Sequence, residues 1–412
     1  MSRVTGPMLR ELRLWAEVGL RAVARRSTGS VRLSDGHLSR VERGLRPVTP
    51  AVLAAYERAL GMRIHPATVT DLTSGSGHDD ADRRAFQATV ANLAAGIPTG
   101  GLGGEGEQRL LRDAMYLRVP QRVTLNDVTH LEQAALTLRG LDLRHGGELT
   151  AQMAGPLLRW AAGLRDAGMT APVRRRWQAA LATLATWAAW SAHDACQRTV
   201  ARALAVLALD AAVSADEPDL RAHVLADIAA GHSHRGHPVD ALHTIRLADG
   251  DERTHPAIQT MLHGVRARAH AALGERDRCE REIARAVALA SGVDPDGVPG
   301  WLGGWHPAHV TALCGHAYAG LAGESGSLRD LALAHERLTG AAGQLAPVRP
   351  RAAALCLTRL ALAYQRCGNP DGAATFTRQA AHLATDLRSA RVARDLAALQ
   401  SGAGGGEPPQ AG

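Results

Sequence analysis

Apolar residues recur along most of this chain at helical rather than strand spacing. Leu9, Leu12 and Trp15 fall on one stripe of a first predicted helix, and Leu20, Val23 and Ala24 on one stripe of a second. The arginines of both lie on the opposite face. Ser34 is placed to cap a third helix, in which Leu38 and Val41 face inward. That orientation turns Asp35, Gly36, His37, Ser39, Arg40 and Arg43 outward. Gly44 supplies a left-handed stop. Thr49 then caps a fourth helix with Pro50 at its first position, and Val52, Leu53, Tyr56 and Leu60 point back to the core until Gly61 ends it.

The pattern lapses over residues 67–108. "TDLTSGSGHDDAD" (70–82) and "GIPTGGLGGEGEQ" (96–108) have linker composition, with room for one short apolar helix over 83–95. From 109 to 400 the chain alternates helical patterns of 12 to 20 residues with brief Gly/Pro/Asp corners. One frame repeats. Ile228, Ala229, His232, Gly236, Ala241 and Ile245 are matched by Ala267, His270, Gly274, Cys279, Ile283 and Ala286, and again by Leu360, Ala361, Tyr364, Gly368, Ala373 and Ala380. Small residues stand where two antiparallel helices touch and a Gly stands at the corner, as in the tetratricopeptide frame. Weaker copies lie around Trp187–Leu204 and Cys314–Leu338, and "SGVDPDGVPGWLGGWHP" (291–307) is an insertion between units. The interval from Gly274 to Gly368 spans two units. The tail, 401–412, has nothing to bury and is expected to be unstructured.

Composition agrees with an all-α fold. Of 412 residues, 46% are apolar and only 3% aromatic, and all 47 Lys+Arg positions are Arg, with Ala and Leu abundant. The charge distribution adds more. Residues 1–66 hold twelve Arg against five acids, so this segment carries the whole formal charge of +7 and the remainder is neutral. That is the footprint of a polyanion-binding module joined to a neutral partner. Five widely spaced cysteines without CxxC indicate reduced, mostly buried thiols. No apolar stretch reaches membrane-span length, and the N-terminus has no signal-peptide core. "DRRAFQATVANLAAG" (82–96) imitates a twin-arginine signal but lies deep inside the chain. The expectation is a cytoplasmic protein with no membrane contact.

Short helices, a corner and one basic face suit the major groove of duplex DNA. "LRELRLWAEVGLRAVARRS" followed by "HLSRVERGLRPVTPAVLAAYERALG" resembles the Xre/Cro-type helix-turn-helix over residues 8–62. Leu38, Ser39, Arg40, Glu42 and Gly44 occupy its third-helix motif, and the resemblance implies that Glu42 holds the helix rather than touching DNA. The connection Ser27–Gly36 is several residues longer than the family's turn. The usual base-reading positions are Asp35, Gly36 and His37; Asp accepts from cytosine and His donates to guanine, whereas Gly reads nothing. Phosphate contacts therefore dominate the expected interface of Arg21, Arg25, Arg32, Ser34, Asp35, Gly36, His37, Ser39, Arg40, Arg43 and Arg46. "LATWAAWSAHDA" and "WLGGWHPAHVTALCGHAYAGL" resemble the repeat halves of regulators in which such a module is fused to tetratricopeptide-like units. This implies a homodimeric transcriptional regulator whose repeats take a peptide, protein or small-molecule ligand.

The fold class is accordingly all-α: a four- or five-helix helix-turn-helix domain over 1–66, a hinge over 67–108, an α-solenoid of irregular tetratricopeptide-like hairpins over 109–400 and a tail. "HSHRGH" (232–237) invites a metal, but His232 is a repeat core position and no Cys or carboxylate pair stands at ligand spacing, so no metal is assigned. In "WHPAH", His306 and His309 follow Trp301 and Trp305; loop packing is the default, and the wall of a ligand pocket the sharper reading. "GGLGGEG" (100–106) lacks the Lys-Ser/Thr of a phosphate loop. No catalytic constellation or cofactor motif emerges, so a non-enzyme is expected. The alternative is a scaffold whose N-terminal module is vestigial.

Overall fold

The computed structural model describes residues 4–6, 9, 10, 13, 18–27, 33–60, 64, 120–249, 254–302 and 305–402. Among the described residues every regular element is helical, and the one strand-like feature is an isolated bridge between Arg122 and Gly168. The anticipated linker (67–108), Leu12, Trp15, Arg32 and the tail from 403 onward lie outside them.

In the N-terminal module, helical residues around Leu9 precede α1 (Leu20–Arg25), α2 (Asp35–Glu42) and α3 (Pro50–Leu60). Leu9, Val23, Leu38, Val41, Val52 and Tyr56 are fully buried, as the apolar stripes require. The expected caps are present. Ser34 Oγ accepts from the His37 N–H at 3.2 Å, and Thr49 Oγ1 from the Val52 N–H at 3.3 Å. Gly44 turns at φ +73°, and the Leu45 N–H closes back on the Arg40 carbonyl at 2.9 Å. One expectation fails. Arg13, assigned to the outward face of the first helix, is buried, because its guanidinium finds Glu42 on the inner side of α2.

Residues 120–402 form thirteen helices among the described residues: α4 (Leu125–His145), α5 (Gly147–Gly163), α6 (Ala171–Asp194), α7 (Arg198–Ser214), α8 (Pro218–His234), α9 (Pro238–Arg246), α10 (Pro256–Ala272), α11 (Arg276–Ala290), α12 (Pro307–Ser325), α13 (Leu328–Leu345), α14 (Pro350–Arg366), α15 (Pro370–Ala384) and α16 (Ala390–Gly402). Their lengths, from 9 residues in α9 to 24 in α6, exceed the anticipated range at both ends. They pack as successive hairpins, α4/α5 through α14/α15, with α16 closing the series. The frame glycines Gly236, Gly274 and Gly368 all have φ between +69° and +76°. At each corner an N–H reaches back five residues, to the carbonyls of His232, His270 and Tyr364. Gly326 supplies the corner of the weaker copy between Gly274 and Gly368, with φ +67°. The α6/α7 and α7/α8 corners use Cys196 and Asp216 at the same left-handed conformation, which is why no glycine marks them in the sequence.

The series does not end as an open superhelix; its last helices return to its first. Arg351, in the first turn of α14, donates to Asp142 of α4 at 2.7 and 2.8 Å and to Asp194 of α6 at 3.0 Å. Ser389, just before α16, donates to Asp194 at 2.9 Å. The backbone joins in: the Arg388 N–H donates to the His145 carbonyl and the Glu148 N–H to the Arg388 carbonyl. The Arg388 carbonyl oxygen lies 2.4 Å from where a Cβ on Gly146 would stand, so the seam closes only with glycine there.

Candidate functional site

Two places on the molecule concentrate charge and polar chemistry. On α2, the 100° step per residue puts Gly36, Arg40 and Arg43 on one stripe, with Ser39 and His37 flanking it. Gly36, Arg40 and Arg43 are exposed, and His37 and Ser39 half-buried. The opposite side carries Leu38 and Val41 into the core and Glu42 into a buried knot. There Arg13 Nε and NH2 donate to the two Glu42 oxygens at 2.5 and 2.9 Å, and Tyr56 OH donates to Glu42 Oε1 at 2.7 Å. The Glu42 contact raises the Arg13 pKa against the effect of burial. Burial, reinforced by the bond to Glu42, pushes the Tyr56 hydroxyl well up, so it remains a donor. Glu42 therefore ties α2 to the first helical segment and to α3, the positioning role that the resemblance implied.

Arg21, Arg25 and Arg46 are exposed around the same face. Ser34 is exposed, yet its hydroxyl is engaged in the cap. Asp35 meets Arg21 Nε at 3.3 Å, which sets a cation beside the first turn of α2. The long connection before α2 is pinned at its ends: Ser27 Oγ donates to the Ala24 carbonyl at 2.7 Å and accepts from the Leu33 N–H at 3.3 Å. Gly6 was not anticipated. A Cβ there would sit 1.6 Å from the Val41 carbonyl oxygen, so the first helical segment presses its backbone at Gly6 against the end of α2.

The second place is a cavity inside the ring of hairpins, with about 1140 Å³ of atom-free space, part of it open to solvent. Its wall comes from the first helix of each hairpin, α4, α6, α8, α10, α12 and α14, and from α16. The 291–307 insertion adds Leu302, Trp305 and His306, so with His309 the "WHPAH" residues stand in a cavity wall. Trp301 packs against His223, ring centroids 5.5 Å apart, and Trp187 contacts the same imidazole at 5.3 Å.

Arginines 139, 268, 349, 351 and 391 line this cavity, against one lining carboxylate, Asp227. Asp142 and Asp194 stand behind them. Burial would raise the Asp142 pKa, but Arg351 and then Arg139 outweigh it and hold the carboxyl at about 2. Burial pushes Asp227 up to about 7, against the pull of Arg139. It also lowers His223 and His309 to about 3, and His234 and His316 well below the usual imidazole value. These rings are neutral at neutral pH and leave the arginine charge undiminished. Several buried polar atoms have no hydrogen-bond partner among the described residues: Trp187 Nε1, both His223 nitrogens, Asp227 Oδ2, Trp305 Nε1, His309 Nδ1 and His316 Nδ1. A buried polar group left unpaired costs about 1–3 kcal/mol, so such a concentration marks a place built for something other than packing.

Sequence reasoning did not find the cavity arginines or Asp227. The available signal was an Arg or Asp on the otherwise apolar face of a helix, as at Arg139, Asp227 and Arg268. Among the described residues no group of three or more His, Cys, Asp or Glu is arranged to hold a metal ion, and His232 of "HSHRGH" is fully buried. All five cysteines are free thiols; burial raises Cys279 and Cys356 to about 12 and Cys314 to about 11. Comparison with family models, curated proteins and solved structures gave no match.

Proposed function

We propose that the chain is a DNA-binding transcriptional regulator of the cytoplasm. In this reading α2 enters the major groove, and the ring of hairpins serves for homodimerisation and ligand sensing. One observation carries it: α2 shows solvent a stripe of Gly36, Arg40 and Arg43, while its other face is locked to the module by the Arg13–Glu42–Tyr56 knot. A helix held rigidly by one side and bare and basic on the other is what phosphate gripping and groove entry require. Arg21, Arg25 and Arg46 extend the positive surface beside it. Free cysteines fit a reducing compartment, and among the described residues no helix is long and apolar enough to cross a membrane.

The test is fluorescence anisotropy with promoter-derived and random duplexes across a salt series. The regulator reading expects log Kd to depend steeply on log salt and the promoter to be preferred at physiological salt. Arg40→Ala with Arg43→Ala should reduce that slope by about 2, one per phosphate contact, without loss of helicity. An unchanged slope and affinity would favour the scaffold alternative instead.

A further inference from the structure

Arg268 and Arg391 converge on a single imidazole. Arg268 NH1 lies 2.9 Å from His234 Nε2, and Arg391 NH1 lies 3.2 Å from His234 Nδ1. His193 Nε2 also approaches Nδ1, at 3.2 Å. A neutral imidazole has one acceptor nitrogen and one N–H, and a guanidinium has donors only. Whichever tautomer His234 takes, it can accept from one of these arginines and not from both. Arg391 has Asp194 near its Nε, at 3.5 Å. Arg268 has no carboxylate at ion-pairing distance among the described residues, and its charged neighbours, Arg359 and Arg391, are themselves cations. Among the described residues the fold thus holds at least one enclosed guanidinium short of an acceptor, directed into a cavity whose wall mixes apolar and aromatic side chains with further arginines (139, 349 and 351) and neutral histidines.

The geometry points to a ligand site for a small amphipathic organic anion. Its acidic group would sit on Arg268 and the neighbouring Arg391, and its aromatic or apolar body against Trp190, Trp305 and Leu313. An anionic oxygen supplies the missing acceptor and the missing charge together, a pairing stronger than a neutral hydrogen bond. Neutral histidines provide donors or acceptors for orientation without competing for the anion. An extended peptide or nucleic-acid chain is a poorer fit, because the return of α14 and α16 onto α4 and α6 joins the two ends of the array and leaves a chamber only partly open to solvent. The inference names the ligand class for the array half of the proposed regulator, but its test contains no DNA, so the two readings fail separately.

The probe is 8-anilinonaphthalene-1-sulfonate, titrated into the full-length protein and followed by its emission and by energy transfer from tryptophan. The expected result is saturable binding of one molecule per chain, displaced by 2-naphthoate but not by the neutral isostere 2-naphthamide. Arg268→Gln should weaken binding by about tenfold or more, as expected for loss of a charge-assisted contact, and should leave the melting temperature unchanged or raised. Arg268→Lys should retain part of the affinity. Absence of saturable binding, equal competition by naphthamide, or equal affinity in the Gln variant and the parent would each overturn the assignment. So would equal losses in the Lys and Gln variants.

Discussion

Removing the Asp194 carboxylate should open the ring. Asp194 is fully buried, accepts hydrogen bonds from three groups and is ion-paired with a fourth, all brought together from distant parts of the chain. These are the Gly147 N–H at 2.8 Å, Arg351 at 3.0 Å, Ser389 Oγ at 2.9 Å and, more loosely, Arg391 at 3.5 Å. Asp194→Ala deletes an anion from a cluster in which Arg139, Arg351 and Arg391 share Asp142 and Asp194. Breaking a buried pair costs about 3–5 kcal/mol, and the orphaned Gly147 N–H adds about 1–3 kcal/mol. Together these come to about 4–8 kcal/mol, and at about 2–4 °C per kcal/mol for a domain of this size the melting temperature should fall by roughly 8–30 °C. Hydrogen exchange should show where the loss falls: α4, α5, α14 and α16 lose protection, while α8 and α10, opposite the seam, keep theirs. A fall of less than about 2 °C, or protection lost evenly around the ring, would refute the argument that this cluster holds the array closed. Acid should act on the same seam. Asp142 is held at about 2, below its unfolded value, so its contribution is complete above about pH 4 and is lost as the pH falls toward 2.

Gly6→Ala forces a Cβ into the Val41 carbonyl, so differential scanning fluorimetry of the N-terminal module should register a loss of at least about 2 kcal/mol, and DNA affinity should fall with it. Glu42→Gln keeps an acceptor for Tyr56 but strips the buried Arg13 of its counter-charge; a loss of about 3 kcal/mol is expected, partly recovered by the double variant Arg13→Met, Glu42→Gln in a denaturant series. Asp227, facing Arg139, His223 and the more distant Asp142, has its folded pKa raised to about 7. The folded chain therefore keeps a proton that the unfolded chain releases above about pH 4, and this residue's effect is to lower stability as the pH rises from about 4 to 7. Asp227→Asn should match the parent near pH 4 and exceed it by about 2–4 kcal/mol at pH 8; a difference independent of pH would refute the reasoning.

The chain's local patterns were sufficient for its elements. Ser34, Gly44, Thr49 and Pro50 bound α2 and α3 through contacts spanning a few residues, so their consequences follow from the sequence directly. The same holds for the corner glycines of the repeat frame, since a left-handed turn and its back-reaching hydrogen bond involve only adjacent residues. The exposed stripe of α2 was legible for that reason, and the insertion around Trp305 announced itself by composition. What surrounds each element was not legible in this way. Arg13 looks like a surface residue until Glu42, 29 positions away, is seen beside it. Arg351 and Asp142 are 209 positions apart, and no periodicity within either helix indicates that they meet. Closure results from small rotations accumulated over successive hairpins, a sum that no short window of sequence contains. Only once the ring has shut do its inward arginines share one chamber and lose their water, and that shared desolvation gives the cavity its chemistry.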